Sequence, residues 1–126
     1  MITLKRAYEP AHGDDGRRFL VERLWPRGVK KAALHISGWL KEVAPSTELR
    51  KWFSHDRAKW DEFRRCYFAE LDAHGGALQP LLDAARLGKV TLVSSSHDQE
   101  HNNAVALKEY LESELSQVHA HRTRVA

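Results

Sequence analysis

The chain has 126 residues, 42% of them hydrophobic and 29% charged, with a formal net charge of +3. That length suits one domain whose core needs no disulfide or metal, and the one cysteine, Cys66, has no internal partner. No run approaches the roughly 20 apolar residues of a membrane helix, and the opening MITLKRAY lacks the apolar stretch of a signal peptide, so a cytoplasmic protein with no membrane role is expected.

Residues 2–8, ITLKRAY, alternate Ile2 and Leu4 with polar positions, a strand pattern. AHGDDGRR is a loop rich in Gly and Asp. Residues 19–25, FLVERLW, are apolar on both parities, as in a strand covered on both faces, and Pro26 ends them. Residues 36–43 read as a short helix. Ser46 is the expected N-cap of a helix carrying Leu49, Trp52 and Phe53, with Glu48 in its first turn. Asp56 caps the next, whose Trp60, Phe63, Tyr67 and Leu71 recur at spacings of three and four until His74-Gly75-Gly76 breaks the run. Leu78, Leu81, Leu82 and Ala85 form another apolar face, with Pro80 in the first turn and Gly88 just past the end.

Residues 90–95, VTLVSS, read as a third strand and SHDQEHNN as a polar loop. A helix follows with Ala104, Leu107, Leu111 and Leu115 on one face, capped by Asn102 or Asn103. Residues 117–126 lack an apolar pattern and read as a flexible tail, leaving one domain over residues 1–116. The pairs Arg17-Arg18, Lys30-Lys31 and Arg64-Arg65 read as solvated surface. This order predicts a small single α/β domain, with a short, mostly parallel sheet of three or four strands flanked by helices.

Ligands of such sheets bind beyond the carboxyl ends of the strands. Two segments fall there: the WPRG turn, and residues 94–103. Arg27, beside Gly28 on that turn, is expected to hold an anion, because guanidinium offers planar, paired donors to phosphate or carboxylate. Arg23 shares parity with Phe19, Val21 and Trp25, so it needs a partner under cover. That partner is either structural (a helix carboxylate or helix C-terminal carbonyls) or a ligand. Trp25 and Trp39 flank the turn as pocket walls, and Ser94, Ser95 and Ser96 arrive at the strand end, with Ser95 assigned to the ligand. The backbone at Asn102 and Asn103, at the positive end of a helix, supplies N–H donors. Asp98 and His101 are the candidate acid and base.

His97 and His101 flank Asp98 in a loop without a third fixed ligand, so no metal site is expected, and nothing points to a cofactor. Cys66 lies inside a helix, as packing, and a G-x-S-x-G elbow is absent. Arginines interleaved with tryptophans can stack on nucleic acid, but no RNP, zinc-finger or helix-turn-helix pattern accompanies them.

VERLWPRGVKK, GWLKEVAPSTELRKWFSHD, KWDEF and VTLVSSSHDQEHNNAVALKEYL, in that order, resemble the bacterial family known as domain of unknown function 488, in its YeaO-like branch. The resemblance implies a small α/β domain and no defined reaction. Other branches carry Cys-His-Arg after the last core strand, and His101-Asn102-Asn103 stands at the equivalent place here, without the cysteine. Some relatives are labelled transcriptional regulators. The expectation is a polar pocket for a small anionic metabolite. The alternatives are a nucleic-acid module and an interaction domain without a ligand, in which Arg23 pairs with Asp98. Oligomeric state is not indicated.

Overall fold

The computed structural model describes the backbone of residues 1–125 and the side chains of residues 1–117. Four strands, β1 (Ile2–Arg6), β2 (Arg17–Leu20), β3 (Gly38–Trp39) and β4 (Val90–Ser94), form one sheet in the order β1-β4-β2-β3. Every neighbouring pair is parallel. The helices are α1 (Lys31–Leu34), α2 (Thr47–Phe53), α3 (Trp60–Ala73), α4 (Gln79–Leu87) and α5 (Asn103–Val125). The protein is thus a small α/β domain on a wholly parallel sheet. The described backbone of α5 runs to Val125, and the expected tail over residues 117–126 lies, but for Gln117, outside the described side chains.

The central strand β4 is buried throughout its length, as a parallel strand covered on both faces must be. On one face Phe19, Val90 and Leu92 meet Phe53, Phe63, Tyr67, Leu71, Leu81, Leu107 and Leu111 from the helices. Each such side chain stabilises the fold by roughly 1.5–3 kcal/mol when fully buried. The stripe on α3 packs as its spacing requires. The opposite face is smaller: Ala7, Leu20, Leu34 and Val93, with Trp25, Val29, Ile36 and Trp39 packed against them.

That smaller face also holds a buried ion pair. Arg18, expected to be solvated, is only 3% exposed. Its Nη1 donates to Asp15 at 2.6 Å and its Nε to the Leu34 carbonyl at 3.1 Å. Lys5 adds a second cation to Asp15 at 3.1 Å. The alternation of β2 turns Arg18 and Leu20 to one face and Phe19 to the other.

Two local expectations are corrected. The strand expected over residues 19–25 ends at Leu20. Val21 still donates to Val93 at 3.2 Å, but the chain then bends away, so that Trp25 packs on the smaller face. Residues 36–43 are not a helix: Gly38 and Trp39 pair with Phe19 and Leu20, and Lys41–Val43 form a 3-10 turn. Main-chain pairing with β2 outweighs the weak helix preference of a segment holding Ile, Ser, Gly and Trp. The one-turn helix α1 has no counterpart in the sequence reading.

The register of β2 depends on Gly16. It has φ +66°, and a Cβ there would sit 2.2 Å from the Lys89 carbonyl oxygen. The next residue, Arg17, donates to that same carbonyl at 3.1 Å. Only glycine permits both the turn and the close approach.

Candidate functional site

At the carboxyl ends of β2 and β4 lies a cavity of about 400 Å³. Most of its walls come from three stretches, with Tyr8, Ala44, Pro45 and Phe63 completing them. Residues 22–27 leave β2; Ser95–His97 and Asn102–Asn103 belong to the segment from β4 to the start of α5; and Arg50, Phe53 and His55 come from α2 and its end.

The first stretch is shaped by a turn in which Val29 donates to the Pro26 carbonyl, with Gly28 at φ +79°. That positive φ is the glycine position of a type II turn. Trp25 fixes the turn by donating Nε1–H to the Val29 carbonyl at 2.7 Å. Trp39 meets Trp25 edge-on, with centroids 5.4 Å apart, and donates Nε1–H to the Glu22 carbonyl at 2.6 Å. Trp25 borders the cavity, whereas Trp39 and Gly28 stand behind it. Their part is to hold the backbone that carries Glu22 and Arg27.

Glu22 joins the first two stretches. Its carboxylate accepts the Ser95 N–H at 2.8 Å and the Ser95 hydroxyl at 2.7 Å. That employs the Ser95 hydroxyl hydrogen. Arg6 steadies the same loop through the Ser96 carbonyl at 3.0 Å and His97 Nδ1 at 3.3 Å.

Asn102 caps α5: its Oδ1 accepts the Val105 N–H at 3.0 Å, and its Nδ2–H donates to the Asp98 carbonyl at 2.7 Å. Asn103 ties the helix to the end of β2 by donating to the Val21 carbonyl at 2.9 Å. Both amide side chains are therefore structural. The backbone N–H groups of Asn103 and Ala104, ahead of the first intrahelical bond, are the donors left at this end.

The arginines differ in their commitments. Arg23 donates Nε–H to the Pro45 carbonyl at 3.0 Å and Nη2–H to the Ala44 carbonyl at 3.5 Å, just past the 3-10 turn at Lys41–Val43. Its pairing is thus with carbonyls and not with Asp98. Arg27 and Arg50 border the cavity with no side-chain hydrogen bond or ion pair among the described residues. His55 reaches it because Ser54 and His55 both adopt left-handed backbone, at φ 46° and 58°. Two successive non-glycine residues in that region are strained by about 1–3 kcal/mol each.

Asp98 and His101 lie outside the cavity lining. Asp98 accepts the N–H groups of Glu100 and His101 at 3.0 Å each and pairs with Arg57 at 3.0 Å. Those bonds, the Glu100 N–H foremost, hold its carboxyl at about 2 against partial burial. A carboxylate so committed is a poor proton acceptor near neutrality. His101 Nδ1 sits 3.3 Å from Asp98, and its ring stands edge-on to Trp60.

The structure therefore brings Arg23, Trp25, Arg27, Ser95, Asn102 and Asn103 to one cavity and leaves Gly28, Trp39, Asp98 and His101 outside it. Glu22, Arg50 and His55 are additions. Glu22 is masked in the sequence because FLVERLW reads as strand, and Arg50 because it follows an ordinary helix pattern. Elsewhere, burial and the nearby Glu62 push the Cys66 thiol up, away from reactivity. Among the described residues no group of three or more His, Cys, Asp or Glu side chains converges as a metal site, and no helix is long and apolar enough to cross a membrane.

The family model described as the inactive DUF488-N3 subclade matches residues 1–125. The uncharacterised protein YeaO of Escherichia coli K12 is 44% identical over 112 residues, covering 89% of this chain and 97% of that one. The uncharacterised proteins Mb3100c of Mycobacterium bovis and Rv3073c of Mycobacterium tuberculosis H37Rv are each 36% identical over 110 residues, covering 87% of this chain and 92% of theirs. No solved structure matches the chain. A match over nearly the whole chain and a relative of this identity make the protein a member of the DUF488 family, in its YeaO-like branch.

Proposed function

We propose that this protein binds a small anionic ligand, a phosphate- or carboxylate-bearing metabolite of the cytoplasm, in the cavity beyond β2 and β4. The observation that carries the reading is the state of Arg27 and Arg50. Both border the cavity, and neither guanidinium has a partner among the described residues. Single exposed arginines are ordinary. Two that line one cavity, beside the start of α5 at Asn102 and Asn103, direct a positive field at one place. Arg23 adds its charge from a carbonyl-anchored position.

The reading is of binding without turnover. The candidate acid and base stand outside the cavity. The matched subclade is itself described as inactive. Asp98 and His101 then serve to shape the loop before α5.

Thermal unfolding tests the reading. Wild type and Arg27→Ala are heated with inorganic phosphate, nucleotides, small carboxylates and a short single-stranded oligonucleotide. A ligand at about 100 times its Kd adds roughly 2.7 kcal/mol. A midpoint rise with a small anion, lost in Arg27→Ala while the unliganded midpoint holds, is the expected result. A rise only with the oligonucleotide, growing with its length and falling with salt, assigns the surface to nucleic acid instead.

A further inference from the structure

Glu22 is the anomaly in a cavity read as an anion site. It places a carboxylate among Arg23, Arg27 and Arg50, yet it forms an ion pair with none of them. Each of its oxygens accepts one hydrogen bond, both from Ser95. A carboxylate oxygen has two acceptor positions, so each keeps one. The clamp on a serine is a structural device in its own right, because Glu70 makes the same two bonds to Ser46. What sets Glu22 apart is that three arginines line its cavity, where Arg23 alone lines the one beside Glu70.

A ligand that is anionic throughout would be repelled by that carboxylate across a confined space. A ligand whose far end donates an N–H would be attracted by it, through a charge-assisted hydrogen bond. The walls suit such a molecule: Leu24 and Trp25 offer apolar surface to a spacer, above the buried Phe53 and Phe63. We propose that the cavity selects ligands of mixed polarity. A phosphate or carboxylate group lies at Arg27 and Arg50, and an amino or amide N–H group is accepted by Glu22. This rests on the anion-binding reading above and narrows it to one chemical class.

The test compares aminoethyl phosphate with ethyl phosphate by titration calorimetry on wild type, Glu22→Gln and Arg27→Ala. The two probes share the phosphate and differ in the ammonium. Aminoethyl phosphate should bind at least about tenfold more tightly to wild type. That preference should collapse in Glu22→Gln, and both probes should weaken in Arg27→Ala. Equal affinity of the two probes for wild type, with dependence on Arg27, overturns the mixed-polarity class and leaves the anion reading standing. Binding of neither probe overturns both. The wild-type comparison decides even where Glu22→Gln does not fold, and a preference that persists in a folded Glu22→Gln removes the role assigned to Glu22.

Discussion

The two ends of β2 hold arginines in opposite circumstances. At the amino end Arg18 is buried, paired with Asp15 and bonded to the Leu34 carbonyl. Beyond the carboxyl end, Arg27 is exposed on a Pro–Gly turn and Arg50 borders the same cavity from α2, with no carboxylate pairing either among the described residues. Arg23 lies between these extremes, half-buried and satisfied by carbonyls. An arginine that serves the fold brings its acceptor with it. An arginine without an internal acceptor is available to something outside the chain.

The strongest way to break this contrast is to remove an acceptor. Asp15→Ala leaves Arg18 buried with no carboxylate, and urea unfolding should show a loss of about 3–5 kcal/mol. Acid should reach the same pair more gradually. Burial raises the Asp15 carboxyl, but hydrogen bonds from the His12 N–H, Lys5 and Arg18 outweigh it and hold it at about 2, below its ordinary 3.8. The folded state then binds that proton more weakly than the unfolded chain. Its contribution, roughly 2 kcal/mol, is fully present above about pH 4 and is lost as pH falls toward 2. Unfolding curves across that window should be flatter for Asp15→Asn than for wild type.

A smaller effect is expected behind the cavity. Trp39→Phe removes the bond to the Glu22 carbonyl and should cost about 0.5–1.5 kcal/mol by the same urea measurement. At the far end of the scale, Arg27→Ala and Arg50→Ala should each change stability by less than about 0.5 kcal/mol. Those two substitutions should instead remove the midpoint rise given by phosphate. A large stability loss from either would make the two ends of β2 alike and take away the reason for placing a ligand at one of them.

Much of the fold was legible where side-chain periodicity and capping dominate. The stripe Phe63, Tyr67, Leu71 on α3, the caps Ser46 and Asp56, and the apolar run of β4 all follow local rules. Reading failed where a tertiary partner decides. Nothing local marks Gly38 and Trp39 as a strand, because their pairing is with β2, far away in the chain. Arg18 reads as half of a surface pair until the loop holding Asp15 folds back over it. The segment after Leu20 is apolar enough for a strand, yet its tryptophan turns to pack on Trp39. For the cavity, Arg27 and Ser95 could be placed from strand ends and turn chemistry. Arg50 and His55 could not, because α2 comes from a different part of the chain, and Glu22, the partner of Ser95, was hidden in a run that reads as strand.

The most direct test of the account is a two-dimensional amide and arginine Nε–H spectrum of the wild-type protein, recorded through a titration with inorganic phosphate. The account predicts saturable shifts of the Asn103 and Ala104 amides and of the Arg27 and Arg50 Nε–H signals, with Arg18 and Arg57 unmoved. Shifts spread over the exposed basic residues with no saturation, or none at the start of α5, would contradict an anion site at the carboxyl ends of these strands.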